Sequence, residues 1–65
     1  MRREKFPDLL VRASKATGSL LDVAKLLGVA PRQVYYWIAA VETPNDERRG
    51  ELERTLLDAV AGRFA

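Results

Sequence analysis

Apolar residues recur three and four positions apart along most of this chain and never alternate with polar ones over a strand's length. The pattern therefore predicts helices and no strand. A first helix is expected from about Pro7 to Ala16, with Leu9, Leu10, Ala13 and Ala16 on one stripe. Pro7 suits a first turn, where its missing N–H is not needed, and Asp8 meets the positive end of the helix dipole. Thr17-Gly18 stops it, since glycine accepts a left-handed backbone. A second helix is expected from Leu20 to about Leu27, capped by Ser19 with Asp22 in a capping-box position. Its apolar face is Leu20, Val23, Ala24 and Leu27, and Gly28 ends it. A third is expected from Pro31 to about Ala40, with Val34, Trp37, Ile38 and Val41 as its stripe. Thr43-Pro44 breaks the chain, because the residue before proline is pushed out of the helical region. A fourth is expected from Pro44 or Asn45 to about Arg63, with Thr43 as candidate cap and Asp46 and Glu47 in the first turn. Its core stripe is Leu52, Leu56, Ala59 and Val60, weakened locally by Gly50.

Size and composition narrow what four helices can do. The 65 residues make one domain, 1–65, which buries only about 60% of its unfolded surface. Apolar residues are 48% and charged residues 31%, an ordinary globular balance. With neither Cys nor His, a disulfide framework, a thiolate metal site and the commonest general base are all missing. There is no glycine-rich phosphate loop and no spaced carboxylate constellation. An enzyme is therefore not expected, nor catalytic residues, a metal or a small-molecule cofactor. No apolar run approaches a membrane span, and Met1-Arg2-Arg3-Glu4-Lys5 leads in with no apolar signal core. The expectation is a cytoplasmic binding module, read as a whole protein from its Met1, with no membrane partner. The net charge of +2 conceals an asymmetry: residues 1–40 hold seven cations and three anions, residues 41–65 four cations and six anions. A basic half beside an acidic half suggests that one part faces a polyanion, although solvated-surface variation gives the same pattern.

The informative stretch is Leu20 to Ala39. Leu27-Gly28-Val29-Ala30 is too short a connection to do anything but turn the third helix steeply across the second. Such a corner needs a small residue at the closest approach, here Ala24, and one that accepts a positive φ, here Gly28. It also needs apolar groups on both helices facing one core, supplied by Val23, Leu27, Val29, Val34 and Trp37. The run from Leu20 to Ile38 resembles the helix-turn-helix of bacterial and phage regulators, with the alanine, the glycine four residues on and the valine six beyond that in place. The likeness is closest to small Cro-like repressors and Cro-like antitoxins, which also carry a helix before the motif and a proline-broken segment after it. Glu42 to Arg49 departs from the winged members by offering no period-2 strand, and the C-terminal strand that some Cro proteins use to dimerise is missing too. The resemblance implies an all-α, four-helix, wingless domain with an N-terminal arm, motif 20–39, and a C-terminal helix, about 45–63, for packing or dimerisation.

It also implies a role for each exposed side chain. The third helix, 31–40, becomes the recognition helix of a sequence-specific double-stranded DNA-binding repressor, with Arg32, Gln33, Tyr35, Tyr36 and Ala39 turned toward the major groove. Arg32 would pair with guanine and Gln33 with adenine, while Tyr35 and Tyr36 would meet phosphate or a thymine methyl. Ala30 and Pro31 would lie close to base edges. Thr17 and Ser19 would sit where the second helix's N-terminus faces a phosphate. Lys25, Lys15, Arg2 and Arg3 are candidate backbone contacts. Plainer readings stand beside these. Arg32 and Gln33 are equally natural as solvated polar residues, Tyr35 as a cover for the core's rim, and Ser19 as a cap. Lys15 and Lys25 fit as solubilising charges, and Arg2, Arg3 and Lys5 as a loose tail. Trp37 reads as core rather than as a base-stacking group. On the fourth helix a second stripe, Leu57, Val60, Ala61 and Phe64, exceeds what so small a domain buries and is a candidate homodimer interface. The competing function is a protein-binding helical module (an antitoxin, an adaptor or a phage-encoded inhibitor), suggested by the Tyr35-Tyr36 pair and the acidic fourth helix.

Overall fold

Ser19 and Asn45 each place a side-chain oxygen on an otherwise orphaned N–H at a helix start, from Asp22 (3.2 Å) and Arg48 (2.8 Å) respectively. These caps and the apolar stripes divide the chain, in a computed structural model that describes residues 4–62, into α1 (Phe6–Thr17), α2 (Leu20–Leu27), α3 (Pro31–Ile38) and α4 (Asp46–Val60). The domain is all-helical, with no strand among the described residues. Packing runs from α1 outward: α1 lies against α4, α2 and α3, the α2–α3 pair is joined at its corner, and α4 touches α2 but does not pack on α3. Leu10, Ala13, Val23, Val34, Leu56 and Ala59 are fully buried, and no polar or charged side chain lies among the buried residues described. Phe6 and Trp37 meet edge to face, ring centroids 5.6 Å apart at 64°, which favours the pair beyond its buried area.

Expectations for α1, α3 and α4 are corrected. α1 begins at Phe6, one residue before Pro7, and its stripe runs Phe6, Leu9, Leu10, Ala13, while Ala16 is exposed. Proline occupies the second helical position, so Phe6 joins the helix and reaches Trp37. α3 ends at Ile38, short of Ala40, and Val41 is 70% exposed rather than core. The cap of α4 is Asn45, not Thr43, and the helix stops at Val60, short of 63. Arg2, Arg3, Arg63 and Phe64 lie outside the described residues.

The early end of α3 has a specific cause. Val41 N–H donates to the Tyr36 carbonyl (3.0 Å) and Ala40 N–H to the Trp37 carbonyl (3.2 Å). This is the Schellman closure, and it needs a left-handed residue, which is Ala40 at φ 60. α2 ends the same way: Val29 N–H donates to Ala24 and Gly28 N–H to Lys25, with Gly28 at φ 72 and ψ 32. Glycine adopts that conformation freely, whereas alanine is strained there by roughly 1–2 kcal/mol. Ala40→Gly is accordingly expected to stabilise the domain by about 0.5–1 kcal/mol after the extra unfolded-chain entropy of glycine is subtracted. A thermal melt followed by circular dichroism should show Tm rising by about 2–8 °C. A lowered Tm would mean that the reversal at Ala40 is not held as described.

Candidate nucleic-acid interface

α3 has two faces with different fates. Val34 and Trp37 are buried, and Ile38 packs partly against the same core. On the other side Arg32 and Ala39 are exposed, as are Tyr35 (52%) and Tyr36 (41%). Tyr35 thus does not seal the rim of the core. Pro31 at the first helical position and Ala30 before it are also exposed. Eight residues make a helix about 12 Å long, short enough to lie within a major groove of about that width. The orientation of the face is fixed by the corner, where Gly28 turns the chain, Val29 packs against the core and Ala24 is buried.

Gln33 is the exception on this face. It is half-buried, and its Nε2 donates to Glu42 Oε2 at 2.9 Å. Glu42 arrives there because the reversal at Ala40 folds the chain back along α3, with Glu42 N–H reaching the Tyr36 carbonyl at 3.4 Å. Gln33, Glu42, Val29, Ala30, Trp37 and Arg48 border one open depression of about 430 Å3 at the start of α3. Sequence reasoning overlooked both Glu42 and Arg48. The pair Gln33–Glu42 is nine residues apart, so no helical spacing signals it. Arg48 sits in an acidic run that read only as the first turn of α4.

At the start of α2, the hydroxyls of Thr17 and Ser19 are already engaged. Thr17 donates to the Ala13 carbonyl at 3.0 Å and lies 3.3 Å from that of Ser19. Ser19 Oγ accepts from Asp22 N–H and donates to Asp22 Oδ2, both at 3.2 Å. The Asp22 carboxylate therefore returns to the Ser19 hydroxyl, not to its backbone N–H as in a reciprocal capping box. Lys15 and Lys25 are exposed. Ion pairs among the described residues join Arg12 to Glu4 (2.8 Å) and Arg49 to Asp46 (3.1 Å), and leave Arg32, Lys15 and Lys25 out. On α4, Leu57 is 49% exposed and Val60 half-buried against the core, and Ala61 just past the helix end is exposed. No cluster of acidic side chains suited to a metal ion exists among the described residues, and no described helix is long and apolar enough to cross a membrane. No protein-family model matches this chain, and no curated protein or solved structure matches it either.

Proposed function

We propose that this domain is a sequence-specific double-stranded DNA-binding regulator, a repressor in the manner of the small proteins its motif resembles, with α3 in the major groove. The observation that carries the reading is the two-sidedness of α3. Val34 and Trp37 anchor its inner face, while Arg32, Tyr35 and Tyr36 project from an outer face that α4 leaves uncovered. An arginine in no ion pair among the described residues, beside two exposed tyrosines, offers a guanine contact and phosphate contacts on one short helix. A second copy packed along Leu57 of α4 and Ala61 just past its end would make the regulator a homodimer and its site a palindrome.

The test is selection of bound sites from random duplex DNA, read by sequencing, with affinities measured from low to moderate salt. Enrichment of one motif, with affinity falling steeply as salt rises through counterion release, is the expected result. A palindrome would establish the dimer with it. A second reading, a protein-binding module, is favoured by the carboxylate of Glu42 beside Gln33 and by the aromatic character of the exposed pair. Absence of duplex binding even at low salt would decide for that second reading.

A further inference from the structure

Gln33 carries two amide N–H donors and one carbonyl acceptor, whereas a carboxylate only accepts. The 2.9 Å contact between Gln33 Nε2 and Glu42 Oε2 therefore settles which end of the amide faces Glu42. It is the nitrogen, because the reverse orientation would set carbonyl oxygen against carboxylate oxygen. One N–H is spent, and Gln33 retains one donor and one acceptor. Glu42 is no loose surface group in this respect: its backbone and that of Val41 converge on the Tyr36 carbonyl, so the reversal at Ala40 holds its side chain against α3.

Adenine's major-groove edge presents one acceptor, N7, and one donor, the N6 amino group, while guanine's presents two acceptors, N7 and O6. A Gln33 left with one donor and one acceptor complements adenine. A Gln33 with both N–H groups unspent serves guanine as well. We propose that Glu42 is a specificity-determining positioning residue: by occupying one N–H of Gln33 it commits that side chain to adenine and against guanine. This inference rests on the groove reading given above. Glu42 also brings a negative charge close to the duplex, which weakens binding to every sequence alike. Its removal should then move two quantities in opposite directions, lowering selectivity while raising general affinity. A residue that merely supports the fold would lower both.

The experiment repeats the selection with the full chain and with Gln33→Ala, Glu42→Ala and Glu42→Met, alongside affinity for random duplex at fixed salt and a thermal melt of each variant. The native chain should enrich adenine at a position that Gln33→Ala loses. Glu42→Ala should let guanine in there, with the adenine-to-guanine ratio falling about tenfold, while affinity for random duplex rises about two- to fivefold. Glu42→Met keeps the side chain's length but offers no oxygen to accept the Gln33 N–H, so it should lose the preference too, and it carries the test if Glu42→Ala melts early. Unchanged adenine preference in the folded Glu42 variants would overturn the inference alone, as would a Gln33-dependent base other than adenine. A native chain that enriches no sequence would overturn the groove reading and this inference with it.

Discussion

Trp37→Ala is expected to leave the chain without a stable fold. Trp37 is 5% exposed at the meeting of α3 with α1, and its ring receives the edge-to-face contact of Phe6. Truncating a buried tryptophan to alanine costs about 3–5 kcal/mol, and the aromatic pair adds roughly 0.5–1.5 kcal/mol. A 65-residue domain has only about 3–10 kcal/mol in total, so at the middle of both ranges the loss consumes most of it. Far-UV circular dichroism should show weakened helicity at 25 °C and a melt without a cooperative transition. Phe6→Leu, which keeps an apolar group but removes the ring, should show a smaller fall with cooperativity retained. A Trp37→Ala protein that melts within about 1 kcal/mol of the native chain would place this ring outside the core. The outward face of α3 would then have no fixed direction.

Arg32→Ala is expected to weaken binding to the selected duplex by about 5- to 150-fold, the 1–3 kcal/mol range of a bidentate guanine contact. Binding to random duplex should fall far less, because only one charge near the backbone is lost. Arg32 is exposed in the first turn of α3, so the substitution spares the fold, which an unchanged melt verifies. Arg32→Lys sharpens the measurement. Lysine keeps the charge but not the planar fork, so it should recover random-duplex affinity and leave the site-specific loss in place. Equal losses on selected and random DNA would reduce Arg32 to a phosphate contact, and base choice would have to come from Gln33 and the tyrosines.

Much of the architecture was legible because its determinants are local. The Ser19 cap, the bounds of α2, the corner at Gly28 and the burial of Leu9, Leu10, Ala13, Val23, Ala24, Val34, Trp37, Leu52, Leu56 and Ala59 all follow from residues within a turn or two of each other. Phe6 was legible as well, lying three and four positions before Leu9 and Leu10, but a helix started at Pro7 leaves it out. The extension of α3 to Ala40 and the placing of Val41 in its stripe fail for another reason. Periodicity continues through 38 and 41, and no glycine announces the end, because the left-handed position is filled by alanine.

By itself, then, the sequence determined four helices, the Ser19 cap, one tight corner and the split of α3 into a sealed and an open face. Those features are set by side-chain spacing and by hydrogen bonds over three or four residues. Tertiary structure alone decided where α3 stops and what stands beside its first turn. With α4 packed on α1 rather than on α3, the chain has to reverse after Ile38, and the reversal forces Ala40 to a positive φ. It also sets Glu42 against Gln33, a contact between residues whose spacing on any single helix would keep them apart.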